Sequence, residues 1–128
     1  MRLEITLDAD VALAIAQARS QAEAAGFDEP TCFKIATATS ELARNILKYA
    51  GRGHVLVRVL NGGDRRGIEI VAKDDGPGIA DVERALEDHF SSGGSLGLGL
   101  PGVRRMMDEF EVVSAPGKGT RVRARKWV

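Results

Sequence analysis

Cysteine is nearly absent from this chain of 128 residues, with Cys32 standing alone. No internal disulfide can therefore form, and a cysteine-based metal site lacks its ligands. The role expected of Cys32 is that of a small buried apolar residue. Net charge is absent too, because 18 Lys and Arg balance 18 Asp and Glu. Such a chain lacks the broad electrostatic footprint of a nucleic-acid binder or an acidic-membrane binder. Long apolar runs are missing as well. The longest, Val11 to Ala16, falls far short of the roughly 20 residues a membrane span needs. The opening MRLEITLDAD is charged and alternating, unlike a secretory signal. We therefore expect a soluble cytoplasmic protein with no nucleic-acid or membrane partner.

Glycine, by contrast, is abundant. There are 15, and seven of them fall between Gly76 and Gly102. Each costs conformational entropy on folding, so this local density calls for a reason. The length suits one domain spanning residues 1–128, with a moderate core.

Arg2 to Leu7 alternates as a half-buried strand. Asp8 or Asp10 caps an alanine-rich helix that ends before Gly26, and Asp28 with Pro30 starts a second helix that stops at Gly51. Strands are predicted over His54–Leu60 and Gly67–Lys73, with Asn61-Gly62 supplying the positive φ of a hairpin turn. A short helix follows Asp81, and helical spacing returns over Leu98–Phe110. Glu111–Ala115 and Thr120–Trp127 form a last hairpin around PGKG. The order βαα-ββ-αα-ββ predicts an α/β sandwich with helices on one face of a mixed sheet.

Four constellations carry chemistry. Glu41 and Asn45 stack on one helical face with Lys48 adjoining, a carboxylate and an amide oxygen suited to a magnesium-phosphate site or to a solvated helix surface. Asp74 ends a strand and is followed by Gly76-Pro77-Gly78, where an exocyclic amine could meet the carboxylate and a flat base the backbone; a type II turn is the plainer reading. Gly97, Gly99 and Gly102 satisfy G-x-G-x-x-G, but no strand precedes them and no acidic ribose ligand follows, which excludes a dinucleotide fold. What survives is a glycine-rich helix start that offers N–H groups to an anion. Gly117-Lys118-Gly119-Thr120 is no P-loop, because Val112 occupies the position of the required first glycine.

Taken in order, E-x-x-x-N on a helix, D-x-G-x-G after a strand, a G-x-G helix start and G-x-G-T between strands resemble the GHKL superfamily of ATPases and kinases. The resemblance implies the Bergerat ATP-binding fold, a two-layer α/β sandwich whose mixed, mainly antiparallel sheet is covered by helices on one face. With no room for a phosphoacceptor-histidine helix pair, SELARNILKYAG, DDGPGI and LGLGLPGVRRMMDEFEV are most similar to the bacterial anti-sigma and switch kinases, particularly the stressosome switch kinases. Those enzymes use ATP and Mg²⁺ to phosphorylate Ser or Thr on STAS-domain partners, and a released kinase can engage a PP2C-type phosphatase. Two alternatives stay open: an anti-sigma kinase that sequesters a sigma factor, and a nucleotide-gated binding module that transfers no phosphate.

The same resemblance implies residue roles. Glu41 is the general base and Asn45 the Mg²⁺ ligand, with Lys48 facing the phosphates and Tyr49 the adenine pocket. Asp74 accepts from the adenine 6-amino group, Gly76 and Gly78 line the base, and Thr120 supports it. Gly97, Leu98 and Gly99 offer N–H groups to the phosphates, and His89–Leu96 forms a short lid. Ser95 stands where relatives carry glycine, which predicts strain in a closed lid.

Overall fold

Apolar alternation in the strands and a 3.6-residue period in the helices build two layers. The structure, a computed structural model, describes residues 1–87 and 99–128. Its elements run β1 (Arg2–Ile5), α1 (Asp8–Ala25), α2 (Glu29–Tyr49), β2 (Gly53–Gly62), β3 (Arg65–Asp74), α3 (Val82–Ala85), α4 (Gly99–Met106), β4 (Glu109–Ser114) and β5 (Thr120–Trp127). The strands order β1-β2-β3-β5-β4, and every neighbouring pair is antiparallel. Among the described residues no helix is long and apolar enough to cross a membrane.

One sheet face carries Ile5, Val55, Val57, Ile68, Ile70, Ala72, Val122 and Ala124, all buried. The helices cover it with Val11, Ala14, Ala18 and Ala22 from α1 and Ile35, Ala38, Leu42 and Ile46 from α2. Alanine at i and i+4 along α1 keeps its packing side thin, so α1 can lie close to α2. Emptying one large position, as in Leu42→Ala, would cost about 2–5 kcal/mol.

Local chemistry sets the element ends. Leu7 occupies the N-cap of α1, and Asp10 reaches back to accept from the N–H groups of Thr6 and Leu7, each at 2.9 Å. Asp10 rather than Asp8 does the capping, from inside the first turn. Asp28 caps α2 by accepting from the Thr31 N–H at 2.9 Å, with Pro30 in the first turn where its missing N–H costs nothing. Gly26 ends α1 at φ 98°, and Gly51 follows α2 at φ 83°.

Strand ends shift by one or two residues from the sequence reading, with β1 stopping at Ile5 rather than Leu7, and the first hairpin turn and the end of the last helix differ as well. Asn61 and Gly62 pair with Arg66 and Arg65, so the first hairpin turns at Gly63-Asp64 and its positive φ, 76°, belongs to Gly63. A glycine at the first turn position suits a type II′ turn, whose twist matches the strands. The last helix stops at Met106, because Glu109 and Phe110 join the sheet opposite Arg125 and Ala124. Phe110 packs against the core from β4, a placement that period-2 burial favours over one more helical turn.

Candidate functional site

The length of α2 brings its polar positions to the start of α4. Glu41 is only 8% exposed, and Asn45, one turn later on the same face, is half-buried. The Gly99 N–H, at the first residue of α4, donates to Glu41 Oε2 at 3.2 Å. A buried carboxylate thus meets the positive end of a helix dipole, where negative charge is favoured. Asn45 has no side-chain partner among the described residues. The Lys48 ammonium lies 5.1 Å from the centre of the Tyr49 ring, a cation–π contact at the exposed end of α2.

The loop after β3 is fastened on two sides. Asp74 Oδ1 accepts from the Gly76 N–H at 2.9 Å and is half-buried, while Oδ2 has no hydrogen-bond partner among the described residues. A methyl group on Gly76 would come within 2.6 Å of the Ala50 side chain, so glycine here lets the loop close on the end of α2. On the other side the Gly117 N–H donates to Pro77 O at 2.8 Å, and the Ile79 N–H to Ser114 Oγ at 2.7 Å. The β4–β5 hairpin therefore clamps the Asp74 loop. Gly78 and Gly119 adopt φ of 78° and 74°, and a Cβ on either would strike backbone oxygen, of Ala115 and Asp74 respectively.

Thr120 is the direct cross-strand partner of Asp74 on one side and of Ser114 on the other. Sequence reading anticipated Thr120 but missed Ser114, whose signal was its register opposite Thr120 in the last hairpin. Glu41, Asn45 and Gly99 come together on the α2–α4 side, and Asp74, Gly76, Gly78 and Thr120 on the sheet-end side. Gly97, Leu98, Ser95 and the lid expected over His89–Leu96 lie outside the described residues.

A cavity of 630 Å³ opens beside Asp74 and Asp75, walled by Arg2, Arg52, His54 and Lys73. Cross-strand pairing sets Glu4, His54 and Lys73 in one row, out of phase with the core positions Ile5, Val55 and Ala72. Much of the cavity wall therefore belongs to the sheet face opposite the helices, while Asp74 and Ala50, at the end of α2, also line it. Burial, with help from the neighbouring Arg2 and Lys73 charges, pushes the His54 imidazole below its usual range.

A carboxylate with one oxygen and a helix amide that have no partner among the described residues, and a helix N-terminus beside a buried carboxylate, form a set that purine, metal-bound phosphate and acceptor hydroxyl could each use. Residues 5–126 match the model of the histidine kinase-like ATPase domain, and the chain belongs to that family. Within it, the chain is 43% identical over 126 residues to the serine/threonine-protein kinase RsbT of Bacillus subtilis (strain 168), covering 98% of this chain and 95% of that protein. It is also 34% identical over 109 residues to the anti-sigma F factor of Thermoanaerobacter sp. (strain X514), covering 78% and 75% of the two chains. Among solved structures, the mycobacterial sensor histidine kinase MprB superposes with a TM-score of 0.59 at 20% identity, over 99% of this chain and 96% of that one. At that identity the superposition speaks for the fold alone.

Proposed function

We propose that this chain is a cytoplasmic serine/threonine protein kinase that uses ATP and Mg²⁺ to phosphorylate a STAS-domain partner. The observation that carries the reading is the meeting of Glu41 with the first N–H of α4, which brings a candidate base beside a natural phosphate seat. Glu41 takes the proton of the acceptor hydroxyl. The start of α4, with Gly99 and the preceding Gly97 and Leu98, holds the phosphates through backbone N–H groups. Asn45 ligates Mg²⁺, which when bound neutralises phosphate charge. Asp74 accepts from the 6-amino group of adenine through Oδ2, and Gly76, Gly78 and Thr120 shape the wall of the base. Lys48 serves the phosphates and Tyr49 the base.

Phosphorylation adds about −1.5 to −2 charges to a small interface, enough to separate two partners and free the kinase for another, such as a PP2C-type phosphatase. Similarity to a protein named anti-sigma F factor supports a second reading, in which the chain also sequesters a sigma factor. The deciding experiment incubates the chain with γ-labelled ATP, Mg²⁺ and a STAS-domain protein. Label on a Ser or Thr of that protein, lost in Glu41→Ala, supports the kinase. ATP binding with no transfer to any STAS protein would leave a nucleotide-gated binding module.

A further inference from the structure

Three side chains lie in one row across three strands: Asp74 on β3, Thr120 on β5 and Ser114 on β4. Direct cross-strand partners share a face of the sheet. Two residues along the strands from these stand Ala72 and Val122, which are buried, and Val112, which pairs with Val122 and packs against the core. The row therefore continues the core face to its open end, on the side covered by the helices.

The hydroxyl of Ser114 has one hydrogen and two lone pairs to share. The Ile79 N–H can only donate, and it takes one lone pair at 2.7 Å. Gly119 O can only accept, and at 2.8 Å it takes the hydrogen. The remaining neighbour is Thr120 Oγ1, also at 2.8 Å. Ser114 has only a lone pair left for it, so Thr120 must be the donor. Its hydrogen is thereby committed toward Ser114, and toward Asp74 Thr120 presents lone pairs alone.

We infer that Ser114 is a positioning residue that sets purine specificity, because it fixes the Thr120 hydroxyl so that Asp74 and Thr120 form a pair of acceptors. This inference rests on the proposed reading of Asp74 as the base-recognising carboxylate. A 6-amino group supplies two hydrogens to such a pair. A 6-oxo group sets lone pairs against lone pairs, and a buried polar mismatch of that kind discriminates by about tenfold to hundredfold. Without Ser114 the Thr120 hydroxyl can turn and donate to a 6-oxo group, so the share of the barrier that Thr120 supplies is lost while that of Asp74 remains.

The test compares equilibrium binding of ADP and IDP to the full chain, since these ligands differ only at the 6-position and in the N1 proton that follows from it. Wild type should favour ADP by at least about tenfold. Ser114→Ala also strands the Ile79 N–H and Gly119 O, which weakens both ligands alike, so the ratio is the readout. It should fall by at least about threefold in Ser114→Ala and be restored by Ser114→Thr, which returns a hydroxyl. Thr120→Val, with Ser114 untouched, should lower the ratio too, and the double variant should lower it no further. An unchanged ratio in Ser114→Ala or Thr120→Val overturns the inference, as does failure of Ser114→Thr to rescue. A wild-type chain that binds neither nucleotide overturns the ATP reading itself, a separate result from binding without discrimination.

Discussion

Glu41 and Gly99 are 58 residues apart in the chain, yet the Gly99 N–H donates to the Glu41 carboxylate at 3.2 Å. The carboxylate occupies part of the field in which a phosphate at the start of α4 would rest. Glu41→Gln keeps an acceptor for Gly99 and removes both the charge and the base. Phosphate transfer should fall by about 10²- to 10⁴-fold, while ADP affinity stays equal or tightens. Calorimetric titration beside a transfer assay checks both halves. Weaker ADP binding in this variant would sink the assignment.

Asp74 Oδ1 holds the Gly76 N–H, while Oδ2 has no partner among the described residues. Asp74→Asn can preserve the loop bond but turns the other position into a donor, which repels an amine. A charged hydrogen bond of this kind contributes about 1.5–3 kcal/mol, so ADP should bind about ten- to hundredfold more weakly. Asp75→Asn is the control, because that side chain is exposed and lies outside the assigned set; its affinity should stay within about twofold of wild type.

Glu69 is buried on the sheet face opposite the helices, between Arg58 Nε at 2.8 Å and Arg125 Nε at 2.6 Å. Burial raises its pKa, but the hydrogen bonds from Arg125 and Arg58 outweigh that and hold it below the ordinary 4.5. Its carboxylate therefore stabilises the fold fully above that ordinary value, and the contribution fades as pH falls through the depressed one. Glu69→Gln should cost about 1–3 kcal/mol at pH 7 in urea denaturation. The difference from wild type should vanish on acidification below the depressed value. A gap that persisted there would mean that the loss comes from packing.

The element order, the α2 caps and the polar residues of both motifs were legible because each is encoded within a few neighbouring residues. Asp28 with Pro30, and Glu41 with Asn45, need only local spacing to be read. Ser114 was not, because its partners Ile79, Gly119 and Thr120 meet through strand register and through a clamp between two loops. The glycines were only half legible. Motif spacing marked Gly76, Gly78 and Gly119 as special, but it could not show that neighbouring chain crowds each of them: Ala50, Ala115 and Asp74. Nor could periodicity place the end of α4, since Phe110 fits either repeat until β5 is beside it.

Gly117 and Gly119 separate backbone strain from crowding, because both adopt φ of 74° in the same hairpin. A Cβ on Gly117 meets nothing within 4 Å, whereas one on Gly119 runs into the carbonyl oxygen of Asp74. Gly117→Ala should cost only the left-handed strain, about 1–2 kcal/mol, and leave ADP binding nearly intact. Gly119→Ala carries the same strain and must also push β5 away from the end of β3. That displaces Thr120 from Asp74, so ADP binding should drop at least about tenfold beyond the Gly117 variant, with a larger fall in Tm. Thermal melts and ADP titrations on the two variants decide it: equal losses would show that positive φ alone, and not the closeness of this hairpin to Asp74, makes glycine necessary at 119.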